Sequence, residues 1–152
     1  MAKVFKFSLQ KVLDVRKHKE DQLAIELSKR KAALNLETFR LQQLHMDKDD
    51  ALHMKGLASK ENLNLNSLVI SQSYLEQLDN NIQRQYKIIE KKNEHVALGR
   101  QELTAAMKQK KAVEILRDRK LEEYKKEIRL IENKIIDEVA VRNTSRKSME
   151  NL

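Results

Sequence analysis

A chain of 152 residues with no proline and only two glycines, Gly56 and Gly99, has few means of turning back on itself. Tight turns draw on Gly for positive φ and on Pro for a preset φ. Ordinary globular chains carry about 7% Gly and about 5% Pro for this purpose. A sandwich, a barrel or a doubly wound sheet needs such turns at every strand end, so these architectures are excluded. Long helices are what remains. The absence of cysteine removes disulfide scaffolds and thiolate metal sites, and it suits a reducing compartment.

Periodicity divides the chain into two helical stretches and one interruption. In the first, expected over residues 9–55, Leu13, Leu27, Leu34 and Leu41 share one seven-residue phase, with Leu23 and Leu44 three positions on. Seven-residue spacing puts them on one stripe of a helix. Charge interrupts that stripe: Glu20 and Lys48 fall in the first phase, Arg16, Arg30 and Glu37 in the second. The second stretch, expected over residues 67–142, holds Leu75, Ile82, Ile89, Val96, Leu103, Tyr124 and Ile131 in phase, with Lys110 and Arg117 as interruptions. Its companion stripe runs through Leu78, Ala106 and Val113, then shifts by one to Leu121, Ile128 and Ile135. That drift belongs to helices nearer 3.6 than 3.5 residues per turn. A stripe this narrow fits one partner helix rather than a broad core.

The interruption spans residues 56–66, Gly-Leu-Ala-Ser-Lys-Glu-Asn-Leu-Asn-Leu-Asn. Gly56 reads as a left-handed stop, with Lys55 at the negative end of the preceding helix. Asn66 or Ser67 reads as the cap of the second helix, and Ser8 as the cap of the first. Phe7 and Val12 have the spacing of a hydrophobic staple. The expected fold is therefore all-α, a single domain of two long helices forming an antiparallel coiled-coil hairpin. The arms would be about 70 to 110 Å long. The second helix is longer and overhangs, and the polar residues 143–152 are expected to fray.

Two helices side by side enclose no water-excluding site, so the sequence reads as a non-enzyme needing no cofactor. His18, His45, His53 and His95 include no i, i+4 pair flanking a glutamate, and no metal site is expected. Mean hydropathy is −0.71, and no apolar run approaches the ~18 residues of a membrane-spanning helix. The opening Met1-Ala-Lys-Val-Phe-Lys-Phe-Ser lacks the apolar core of a secretory signal, so a cytosolic location is expected.

Lys and Arg number 31 against 23 Asp and Glu, a net charge of +8. That balance favours acidic partners without dictating a fold. The basic clusters at Lys29-Arg30-Lys31, Lys108 to Lys111 and Lys125-Lys126 read first as solvated helix faces, laced by pairs such as Glu26 with Arg30 and Glu122 with Lys126. Their alternative is an electrostatic footprint for nucleic acid, in which case the chain is a basic coiled-coil nucleic-acid-binding protein. Acids alternate with the bases, and aromatic groups do not interleave with them, so nucleic acid is not the expected partner. Among the aromatics Tyr124 reads as seam, while Tyr74 is either seam edge or exposed anchor. A self-associating scaffold is a further reading, although a monomer is expected ahead of a homo-oligomer.

The opening Phe5-x-Phe7-x-Leu9-x-x-Val12-Leu13-x-Val15-Arg16-x-x-x-Glu20 resembles the N-terminal signature of the flagellar export protein FliJ family. Tyr74-Leu75-x-x-Leu78, Arg100-x-x-Leu103-x-x-Ala106 and Asp137-Glu138-x-Ala140-x-x-Arg142 are similar to later parts of the family pattern. The resemblance implies a component of the bacterial flagellar type III export apparatus, built like the central stalk (gamma) subunit of rotary ATPases. It implies a cytoplasmic protein peripherally associated with the inner membrane at the flagellar base, without direct membrane insertion. The implied partners are the hexameric export ATPase, whose assembly it promotes, the export gate and substrate-specific chaperones. The equivalent stalk of a virulence injectisome is the near alternative, and the aromatic N-terminus favours the flagellar one. By the same resemblance the gate-binding face falls on Tyr74, Leu78, Asn81 and Gln85, of which Leu78 also fits the seam. ATPase contact is assigned to the end away from the hairpin tip, at Phe5, Phe7, Arg16, Glu20, Asp137, Glu138 and Arg142. Salt bridges between the two chain ends are the structural alternative for those acids and arginines.

Overall fold

The computed structural model describes residues 4–61 and 64–151. The fold is all-α, a hairpin of two long helices packed against each other, α1 (Gln10–Lys60) and α2 (Leu65–Glu150), with no strand among the described residues. Packing divides the chain into two units. A central unit comprises Glu20–Ala105, and a terminal unit comprises Met1–Lys19 with Ala106–Leu152.

In the central unit the helices run antiparallel. Going up α1, Arg30 meets His95 and Glu102, Glu37 meets Gln85, Lys48 meets Asp79 and Lys55 meets Gln72. The core follows the two heptad stripes: Leu27, Leu75, Leu78, Ile82 and Val96 are buried. It also takes in Gly99, where α1 comes close. A Cβ there would meet Arg30 Nη1 at 3.1 Å and Leu27 Cδ1 at 3.2 Å, both tight contacts.

The terminal unit follows the same logic over a shorter stretch. Leu13, Ala106 and Val113 are buried, and the Arg16 guanidinium donates to the Gln109 carbonyl at 2.7 Å. Ahead of α1, the Phe5 ring packs against Tyr124 with centroids 5.6 Å apart and planes at 47°. Every described residue from 131 onward is exposed, as the expected overhang requires.

The helix ends differ from those expected. The first helix does not stop at Gly56 but runs on to Lys60. Glycine inside a helix costs about 1 kcal/mol, and here the surrounding good helix formers and a continuing seam outweigh it. Ala51, Lys55 and Ala58 all remain half-buried, so the stripe passes straight through. Lys55 is accordingly not a terminal charge: its ammonium donates to Gln72 Oε1 at 2.6 Å, and Lys60 occupies the last turn. Neither Asn66 nor Ser67 caps α2. Asn64 does so, its Oδ1 accepting from the Asn66 amide at 3.4 Å, so the helix begins two residues earlier than expected. At the start of α1, Leu9 rather than Ser8 holds the cap position, its carbonyl accepting from the Leu13 amide at 3.0 Å. Val12 is exposed and Phe7 half-buried. Asn62 and Leu63 of the expected connection, Met1 to Lys3 of the opening and Leu152 of the tail lie outside the described residues. Residues 143–150 are helical, not frayed: they contain no Gly or Pro to end the helix, and Thr144 and Ser148 hydroxyls donate back to carbonyls one turn earlier.

Candidate partner-binding surfaces

The four residues expected to form one gate-binding face have spacing i, i+4, i+7 and i+11, yet the structure divides them. Leu78 is 4% and Gln85 8% exposed, both turned into the seam. Gln85 lies seven residues after Leu78 in the same stripe, so its amide is used inside the hairpin. It donates to Glu37 Oε2 at 2.7 Å and to the Glu37 carbonyl at 2.9 Å. Those bonds, with Arg40 Nη1 2.8 Å from Glu37 Oε1, offset the cost of burying a carboxylate. The Gln85 hydrogen bond is the largest cause holding the Glu37 carboxyl below its ordinary range. Burial opposes it and the Arg40 charge reinforces it.

Tyr74 and Asn81 remain available. Tyr74 is 48% exposed and lines a shallow groove with Asp47, Asp50, Ala51, Met54 and Ser71. Asn81 is half-buried in a second groove, beside Phe39, Arg40, Gln43, Leu44 and Arg84. Phe39 and Met54 are large, exposed and adjacent to these grooves. The sequence gives them no weight, because they lie off the two stripes that carry the heptad signal. The one available cue is position: Met54 and Tyr74 each precede a seam residue, Lys55 and Leu75, and so flank the seam.

The expected ATPase-binding set is likewise not one cluster. Phe5, Phe7 and Arg16 are half-buried in the terminal unit, where Phe5 is occupied by Tyr124 and Arg16 by the Gln109 carbonyl. Asp137, Glu138 and Arg142 are fully presented on α2, 13 to 18 positions beyond Tyr124, about 20 to 27 Å along the helix. Glu20 belongs to the central unit and is half-buried. Arg16 does not pair with an acid of the C-terminal stretch, since its guanidinium reaches a backbone carbonyl instead. The sequence does not single out the apolar side chains exposed beside those three charges, Leu130, Ile136, Val139 and Val141. Ile131 and Ile135, read as seam, are exposed there too because α1 starts only at Gln10 and does not run alongside them.

His45 Nε2 lies 3.2 Å from the Tyr86 hydroxyl, a cross-helix bond between exposed side chains. Among the described residues no group of three metal-ligating side chains is gathered, and no helix is long and apolar enough to cross a membrane.

The sequence pattern of one family, described as Flagellar FliJ protein, matches residues 5–149. No curated protein and no solved structure matches the chain.

Proposed function

The chain belongs to the FliJ family, hence to the non-catalytic components of flagellar type III export, and on that premise we propose that it is a stalk and adaptor of the export ATPase. The observation that carries this reading is the extent of the family match, which takes in both helices and the connection between them. The exposed stretch of α2 from Leu130 to Val141 is the element offered to the ATPase hexamer. It presents Ile131, Ile135, Ile136 and Val139 beside Asp137, Glu138 and Arg142, with no α1 opposite. A slender helix with a narrow apolar stripe and mixed charge suits insertion along a ring axis without a permanently sticky surface. The Tyr74 groove, with Met54 and the two aspartates, is the surface offered to the export gate, and substrate chaperones bind the assembled complex. The protein works in the cytoplasm, held at the inner membrane by these contacts.

Sedimentation of the cognate ATPase with nucleotide, with and without the purified protein, tests this reading. The expected result is a shift of the ATPase from monomer to hexamer, lost with Ile135→Asp and kept with Tyr74→Ala. Tyr74→Ala in turn weakens capture by the cytoplasmic part of the gate. An unchanged ATPase distribution in the presence of the folded protein rejects the stalk role.

A further inference from the structure

The net charge is not shared between the two units. By sequence the terminal unit holds 19 of the 31 basic residues against 10 of the 23 acids, a net of +9, while the central unit holds 12 against 13, a net of −1. Within the terminal unit the excess lies where both helices are present: residues 4–19 and 106–129 carry 14 basic and 6 acidic side chains. Half of those acids are matched internally. Glu122 pairs with Lys125 and Glu123 with Lys120, each at 2.9 Å, and Glu114 lies 3.9 Å from both Lys110 and Lys111. Lys11, Lys17, Lys19, Lys108, Arg117 and Arg119 are all exposed, and none of them takes part in an ion pair among the described residues. Of these, Lys19 and Arg119, with Lys126, share the side of Val12, Val15 and Leu116 at helical spacings of three and seven, while Lys17 and Arg117 lie on other sides.

Aliphatic side chains stand among these charges. Val15 is 68% exposed, and Val12, Ile115 and Leu116 are exposed as well. Val12 precedes buried Leu13, and Leu116 follows buried Val113 by three, positions that flank an antiparallel seam on the same side. Ile115 shares a shallow groove with Arg119 and Lys126 and with three acids, Asp118, Glu122 and Glu123, of which the last two are paired with Lys125 and Lys120. The aromatic groups of this unit are withdrawn: Phe5 is packed on Tyr124, and Phe7 is half-buried.

We propose that this basic, aliphatic-studded face of the terminal unit binds the surface of an anionic lipid bilayer. Basic side chains near an anionic leaflet each add attraction, and short aliphatic groups seat at the headgroup–acyl boundary without the helix spanning it. Nucleic acid shares the phosphate chemistry but makes no use of exposed valines and isoleucines. It would use exposed aromatic rings for stacking, which this face lacks. The proposal is independent of the stalk reading, because it uses residues N-terminal to the exposed α2 stretch and needs no other protein.

The test is co-sedimentation of the full chain with vesicles of phosphatidylcholine alone or with one quarter phosphatidylglycerol, beside a single-stranded oligonucleotide titration. Binding to the anionic vesicles only is expected, falling steeply as ionic strength rises through the range where the Debye length shortens from about 10 to about 3 Å. Arg119→Glu with Lys126→Glu weakens it at least tenfold, at about fivefold for each basic group withdrawn. Val15→Asn with Ile115→Asn weakens it at unchanged charge. Lys87→Glu with Lys91→Glu, in the central unit, leaves it unchanged, and circular dichroism checks that each variant stays helical. Absence of vesicle binding at low salt, equal binding to neutral vesicles, equal loss from the central-unit reversal, or binding to the oligonucleotide alone overturns the proposal.

Discussion

Charged residues inside a heptad seam look like flaws in the sequence, and in the structure several of them reach a polar partner on the facing helix or one turn away, while Arg117 stays exposed. Arg16 and Arg30 donate to carbonyls of α2, Lys48 lies 2.6 Å from Asp79, and Glu37 is held by Gln85 and Arg40. Such pairs add less to stability than to register, since an apolar pair of like volume often does as well and a half-removed pair does worse. Gln85→Leu is therefore expected to lower the urea midpoint at neutral pH, and Glu37→Leu/Gln85→Leu together to restore most of it. The sign with pH follows from the lowered Glu37 carboxyl: its contribution is full above the ordinary 4.5 and fades as pH falls through the lower folded value. The deficit of Gln85→Leu relative to the wild type is accordingly expected to shrink below pH 4.5, and a deficit constant with pH contradicts the assignment. Leu78 offers a second test of which side chains are committed to the seam. Leu78→Ala costs about 2 to 3 kcal/mol by leaving a gap in the buried stripe. Tyr74→Ala, at an exposed site, stays within about 0.5 kcal/mol, both read from chemical denaturation.

At the scale of elements, the existence, type and pairing of α1 and α2 were legible, because the seven-residue stripes of Leu27, Leu75, Ile82 and Val96 leave no other economical way to bury these side chains. The ends were not. Gly56 carries the usual mark of a stop, but a stop also needs the seam to finish there, and Ala58 shows that it does not. Asn64 was hidden among several asparagines, any of which could accept from a free amide. The exposure of the four residues expected to bind the gate was legible only in part, since residues sharing one helical side can be split between seam and edge by a rotation of a few tens of degrees. Tyr74 fell on the edge and Gln85 inside. Gly56→Ala checks the corrected boundary. With nothing within 4 Å of the added Cβ and a helical backbone, it is expected to stabilise the chain by about 0.5 to 1 kcal/mol in thermal or urea unfolding. Destabilisation would mean that the residue leaves the helical conformation in solution, as a left-handed stop would require.

At the scale of the whole molecule, the partition of charge distinguishes the two surfaces proposed for partners, since the exposed α2 stretch belongs to one unit and the Tyr74 groove to the other. The terminal unit, at net +9, projects a field that accelerates encounter with an acidic face and is screened by salt. The central unit, at net −1, does not. If the ATPase receives the exposed stretch of α2, which by sequence holds Lys134 against Glu132, Asp137 and Glu138, the steering comes from the basic residues of 106–129 in the same unit rather than from the contact segment. If the gate takes the Tyr74 groove, it meets a nearly neutral unit. Association rates measured by stopped flow over rising ionic strength are expected to fall about tenfold for the ATPase and less than about twofold for the gate, with dissociation changing little in either case. Steering acts on encounter, whereas apolar contacts such as those proposed for Ile135, Val139 or Met54 act on how long a complex lasts. Equal salt slopes for the two partners would place both on the same unit and remove the division of labour. A reversed order would exchange the surfaces, giving the gate the terminal unit and the ATPase the groove beside Tyr74.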